Sequence, residues 1–367
     1  MALRILFRPT GLVLSSTIGN IGIETDAESM DVVLKDSDGH ILLQERYFSF
    51  KGMLTLYCPA AMIEVAMRKE SASLSSFTLS ASAGEEEDAV SFSVLYCERM
   101  SVCADLPLYL SENFLSTHTM RRTAPGATES LYLVAMEGES LAAKVDYVVR
   151  RMCDGTLFSG SVTLHEGETA TEYGIAQINL THYEICYAAA NGIALSVNDL
   201  ALVNFSVRCG SRAVSFFVDE ALDYNSRFIF RNCFNVPDYI CFRAVTVEKS
   251  SVDSSLAVLG GVSKLYDRTS LKEYEVETEA LTSDETVFIP QFLASHEVFH
   301  YEHDPSSDDE EWVILPVLIT DSTCEITNDD DKLNKVKFTW RYADERPVVL
   351  LQASRGIFTA PFNPYFC

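Results

Sequence analysis

The amino-acid sequence predicts a mainly β protein, built of tandem antiparallel β-sandwich or barrel domains with one short helix in the C-terminal domain. Three observations predict it: period-two alternation of apolar and polar residues, recurrent two-residue turn signals, and a scarcity of helical periodicity. In Val336-Lys-Phe-Thr-Trp-Arg-Tyr342, the residues Val336, Phe338, Trp340 and Tyr342 fall on one face, opposite Lys337, Thr339 and Arg341. Such a strand buries one face and wets the other, as antiparallel sheets do.

The same alternation recurs along the chain. Val203, Phe205 and Val207 oppose Asn204, Ser206 and Arg208, and Glu273-Tyr-Glu-Val-Glu-Thr-Glu279 sets four glutamates against Tyr274, Val276 and Thr278. Turn signals at Asp38-Gly39, Asp154-Gly155, Asn191-Gly192 and Gly260-Gly261 separate the strands. Two pairs of segments repeat. Asp31-Val-Val-Leu resembles Asp146-Tyr-Val-Val, each ahead of an Asp-Gly turn, and Ala89-Val-Ser-Phe-Ser-Val94 matches Ala213-Val-Ser-Phe-Phe-Val218. We therefore expect two related sandwiches over 1–105 and 106–222, and a different β-rich domain over 223–367. The helix is expected near 283–294, opened by a capping box of Thr282 or Ser283 with Glu285.

Composition narrows function by exclusion. Among 367 residues, 28 are basic and 53 acidic, a formal charge of −25. A body built to grip nucleic acid needs clustered Lys and Arg, and an anionic membrane surface would repel this chain. With 47% hydrophobic and 11% aromatic residues it is too apolar to be disordered. No secretory signal is read at the start, where Arg4 and Arg8 interrupt the apolar run. Val313-Ile-Leu-Pro-Val-Leu-Ile319 is too short to span a bilayer, so no membrane insertion is expected. The ten cysteines are scattered singly and read as small buried hydrophobes. The acidic clusters Glu85–Asp88, Asp308–Glu311 and Asp329–Asp331 read as solvated loop tips and lack calcium-loop spacing.

One motif carries chemistry. His296-Glu-Val-Phe-His300 fits the H-E-x-x-H pattern, in which two imidazoles on one helical face bind zinc and the glutamate, here Glu297, acts on metal-bound water. His303 stands three residues beyond His300, and no third ligand is singled out. No clean apolar stripe supports a helix through these residues, so an ordinary helix-to-strand connection is the favoured reading. No catalytic, cofactor or metal residue is assigned, and no cofactor is expected.

From Phe230 to Tyr342 the chain resembles structural proteins of tailed-bacteriophage virions, the distal-tail and baseplate group. The resemblance lies in Phe230-Arg-Asn-Cys-Phe-Asn-Val-Pro237, in Tyr266-Asp267 ahead of Tyr274–Thr278 and Leu281-Thr282, and in Ile319–Ile326 followed by Val336–Tyr342. It implies a β-rich module with one helix in a homo-oligomeric ring at the tail tip, assembled in the host cytoplasm. Its partners would be other copies of itself and other tail or baseplate proteins, and its role would be contact without catalysis. Alternatives are a β-sandwich adhesin or carbohydrate-binding module, and a zinc metallopeptidase using His296, Glu297 and His300.

Overall fold

A computed structural model describes residues 3–9, 11–98, 105–222, 227–303, 312–325 and 334–343. The chain is mainly β, and its side chains gather into three main cores.

The first core is built from β1 (Arg4–Ile5), β2 (Leu12–Leu14), β3 (Ile21–Glu24), β4 (Ser29–Asp36), β5 (Ile41–Phe48), β6 (Met53–Leu56), α1 (Pro59–Lys69), β7 (Leu74–Ala83) and β8 (Glu86–Leu95). One sheet runs β2-β8-β7-β4-β5 and the facing sheet β1-β3-β6. Alternate residues Val32 and Leu34, Phe77 and Leu79, and Phe92 and Val94 point inward, as the pleat requires. Helix α1 carries Pro at its start, Arg68 and Lys69 in its last turn, and Ile63 and Met67 on its buried side.

The second core follows with α2 (Leu106–Glu112), β9 (Met120–Thr123), β10 (Thr128–Ala135), β11 (Ala143–Arg151), β12 (Leu157–Leu164), β13 (Gly174–Thr181), α3 (His182–Ile193), β14 (Leu200–Cys209) and β15 (Arg212–Val218). Its larger sheet runs β9-β15-β14-β11-β12 and faces β10-β13. Apart from β1 and α2, each element repeats the first core, down to a strand that joins the larger sheet in parallel, β2 on β8 and β9 on β15. The crossover helix stands at the same place, and a cross-strand Phe pair recurs as Phe77–Phe92 and Phe205–Phe216. Two facing sheets with this strand order form an immunoglobulin-type sandwich, and neither sheet closes into a barrel.

The third core contains β16 (Arg227–Arg231), β17 (Pro237–Cys241), β18 (Ala244–Leu259), β19 (Val262–Thr278), α4 (Ser283–Leu293), β20 (Val298–His303), β21 (Trp312–Glu325) and β22 (Lys335–Tyr342). They make a seven-stranded antiparallel sheet, β17-β16-β20-β21-β22-β19-β18. The expected capping box opens α4, with the Thr282 hydroxyl accepting from the Glu285 N–H and the Glu285 carboxylate accepting from the Thr282 N–H. Phe288, Ile289 and Phe292 of α4 pack on Phe228, Phe338 and Trp340.

Three features correct the sequence reading. Helices α1, α2 and α3 stand beside α4, and Asn191-Gly192 lies inside α3 where a turn between strands was expected. A bulge in β14 drops Val203 from the ladder, so the buried side passes from Leu200 and Leu202 to Phe205, Val207 and Cys209. Of the acidic clusters, only Glu85–Asp88 lies among the described residues. Its Glu86 and Asp88 accept the Leu3 and Ile5 N–H groups and so hold the first strand rather than forming a bare loop tip.

The cores meet at one turn, Arg231–Pro237. Phe234 is fully buried in a junction cluster with Leu14 and Leu95 from the first core and Leu110, Leu115 and Val134 from the second. Asn232 Nδ2 donates to the Leu115 carbonyl at 2.8 Å, and Asn235 Nδ2 to the Ala72 carbonyl at 2.9 Å. Asn235 takes φ 59°, a left-handed conformation that asparagine tolerates better than most residues. Phe234→Ala should cost about 3–5 kcal/mol, the range for deleting a buried aromatic ring. The check is a urea midpoint combined with limited proteolysis, where faster cleavage between the cores is expected.

Candidate functional site

Beside the junction turn runs a seam of buried ion pairs. Arg121 Nη1 bonds Asp238 Oδ1 at 2.7 Å, and both side chains are buried. Asp238 Oδ2 accepts from the Ser116 hydroxyl at 2.7 Å and from Asn232 Nδ2 at 3.0 Å. Arg227 donates to the Thr128 carbonyl at 2.6 Å and reaches Glu129 at 3.4 Å, while Glu129 also accepts from the Thr123 hydroxyl. Nearer the surface, Asp219 takes Arg122 and Arg243, and Arg122 also meets Glu285 at 3.1 Å. Each of these carboxylates already has a cation and further donors. The seam therefore ties the second core to the third and leaves no activated acid or base.

Two histidines lie along it. Burial, reinforced by Arg121, brings His118 down to about 4 despite Asp238, and its ring lies 4.3 Å from that of Phe288. Burial likewise brings His182 down to about 4, with Glu129 opposing and Arg227 assisting. Both are neutral and structural near pH 7. Burial also pushes up the thiols of Cys186, Cys209 and Cys233, which makes them packing groups rather than nucleophiles.

The H-E-x-x-H segment does not form a helix. α4 ends at Leu293, His296 sits in the bend that follows, and His300 is in β20. Glu297 accepts from Arg231 Nε at 3.0 Å, and the His300 ring packs 4.8 Å from both Phe228 and Trp340. On an extended backbone the two imidazoles do not share the helical face that a zinc-peptidase centre requires. Among the described residues one other cluster brings three metal-ligating side chains together, Asp36, His40 and Glu70 in the first core.

An exposed arm extends from the third sheet. β18 and β19 pair with each other from Ala244↔Thr278 to Leu259↔Val262, but β19 pairs with β22 only over Tyr274–Glu277. From 249 to 273 the ribbon therefore has no sheet neighbour among the described residues. At its root Val276 is buried and Tyr274 stacks on Trp340, with centroids 4.3 Å apart. Alternation along β18 carries the same side outward through Ser250, Val252, Ser254, Leu256 and Val258, with Leu265 opposite Leu256, and Val252, Leu256, Val258 and Leu265 are its apolar residues. These four are 47%, 66%, 72% and 52% exposed. On the other side of the root, Glu275 pairs with Lys249, and Lys337 and Lys335 hold the Glu277 carboxyl below the usual carboxylate range. The sequence alternation marked this glutamate face. Its extension into an arm depends on where β22 stops, which no local pattern reports.

Where the three cores meet, Ser71, Ser73, Tyr132, Tyr173, Arg231 and Pro237 help line an open groove of about 510 Å³.

No family model matches the chain, and no curated protein matches it. Among solved structures, titin domains Z1Z2 in complex with telethonin align at 12% identity over 60% of this chain and 98% of that one, with a TM-score of 0.19. The titin I-band fragment I67–I69 aligns at 13% identity over 76% of this chain and 94% of that one, with a TM-score of 0.17. Escherichia coli alpha-2-macroglobulin in its native conformation aligns at 10% identity over 92% of this chain but 27% of its own length, with a TM-score of 0.21. The sandwich description rests on the strand order given above.

Because His118 and His182 titrate lower in the folded chain than when unfolded, their protonation opposes folding. Stability should fall as pH drops through about 6.5 and level off below about 4. Between pH 7 and 5 the loss should be about 2 kcal/mol per histidine. Urea midpoints at the two pH values, compared with those of His118→Leu, check this: the variant should lose less on acidification.

Proposed function

We propose that this chain is a non-enzymatic structural component of a phage tail tip or baseplate. It works as a homo-oligomeric ring connecting the tail tube to hub or receptor-binding proteins. The observation that carries the reading is the arm, whose tip leaves Leu256, Val258, Val262 and Leu265 exposed beyond the last strand that pairs with it among the described residues. An exposed ribbon with an apolar tip and with edges unpaired among the described residues is a surface that another β protein can cover or extend. Charge does not oppose a second copy as that partner. Residues 249–273 carry four basic against three acidic side chains, +1, which leaves −26 on the rest of the chain. The resemblance to tail proteins covers the same third core, and an acidic channel lining would repel passing DNA.

Light scattering on the full chain should give an oligomer mass, and Leu256→Asp with Leu265→Asp should weaken association by more than about tenfold, ~1.4 kcal/mol. Circular dichroism should be unchanged in that variant. A wild-type monomer at every concentration and salt tested would sink the reading.

The groove between the cores, with Tyr132, Tyr173 and serine hydroxyls beside Arg231, favours a second reading as a carbohydrate-binding module. Glycan binding lost on Tyr173→Ala would promote it.

A further inference from the structure

We propose that Asp36, His40 and Glu70 form a binding site for a borderline divalent cation such as Zn²⁺, clipping the β4–β5 turn to the C-terminal end of α1. The donors come from two elements. Asp36 ends β4, His40 precedes β5, and Glu70 caps α1. His40 Nδ1 lies 3.0 Å from Asp36 Oδ2 and 3.7 Å from Glu70 Oε1, and one ligand atom from each residue lies within 4.8 Å of the others. Donors held at ~2.0–2.1 Å by a tetrahedral ion stand roughly 3.4 Å apart, between the two observed separations. Asp36 is already oriented: its side chain is 7% exposed, Oδ1 accepts the N–H groups of Asp38 at 3.0 Å and His40 at 2.8 Å, and Oδ2 meets His40 Nδ1, a contact that an ion between them would replace. The mixed nitrogen and carboxylate set suits zinc-like ions better than Ca²⁺, which takes 6–8 oxygens.

The repeated core provides an internal comparison. Its matching positions are Arg151 at the end of β11, Thr156 before β12 and Ala194 capping α3. There the turn carries its own cation, with Arg151 Nε on Asp154 Oδ1 at 2.9 Å. A turn one residue longer and a helix end with a left-handed cap thus form at that place without a ligand set, so the sandwich itself does not require Asp36, His40 and Glu70 to converge. In the first core, the ion pairs of Asp36 and Glu70 are with His40 alone among the described residues.

Calorimetric titration of the untagged full chain with Zn²⁺, and separately with Ca²⁺ and Mg²⁺, tests this. Saturable one-to-one binding of Zn²⁺ is expected, with a raised thermal midpoint and no comparable response to the other two ions. His40→Ala and Glu70→Gln, both at exposed positions, should each weaken binding by at least about tenfold. Absence of saturable Zn²⁺ binding, or full binding retained in either variant, would overturn the proposal. Ring formation does not enter this readout, so the site and the assembly role succeed or fail separately.

Discussion

The structure depends on a single turn. Arg231–Pro237 places one fully buried phenylalanine among apolar side chains from all three cores, while its two asparagines donate to carbonyls of the other two. The arrangement is cooperative. Next to Phe234, Asn235 adopts a left-handed backbone, and the Asn232 side chain accepts the Phe234 N–H at 2.9 Å. With the turn in place, Asp238 follows within six residues of Asn232 and meets Arg121, so the apolar junction and the ion-pair seam share one piece of backbone. A seam of this kind adds little net stability, because desolvating the charges offsets their attraction. What it supplies is orientation, since a shifted docking would strand a buried charge.

That fixed orientation gives the arm its meaning. A two-stranded ribbon is marginal alone, and this one is anchored by Tyr274 and Val276 in the core of the third sheet. Its reach is then set relative to the acidic body of its own molecule. The arm sets apolar side chains at its tip, and its strand edges there are unpaired among the described residues. The seam, by contrast, has its carboxylates saturated and its histidines neutral.

Much of the fold was legible, and the misreadings have physical causes. Strands with a half-buried face declare themselves by alternation, so Val336–Trp340 and the Glu273–Glu279 stretch were readable. The capping box at Thr282 was readable because it lies within four residues. Helix α1 also carried local signals, with Pro59 at its start and two cations at its end, but its alanines and methionines resemble a continuing apolar run. α3 was obscured by Asn191-Gly192, a turn signal that tertiary packing of Ile185 and Ala189 overrides. The H-E-x-x-H spacing was visible, yet spacing alone cannot separate a helix from a strand. The Asp36–His40–Glu70 cluster was invisible for the opposite reason, because Glu70 joins it only through the packing of α1 against the sheet.

The parallel early strands have a mechanical consequence. In each sandwich an early strand, β2 or β9, lies beside the departing one and points the same way, Leu12–Leu14 along Ser93–Leu95 and Met120–Thr123 along Ser215–Val218. Tension along the chain then slides the two strands past each other, so their hydrogen bonds share the load instead of opening one by one. The second sandwich is latched in shear between its end strands, the first between β2 and β8, and a pull transmitted through the chain from β2 onward meets two such latches in series.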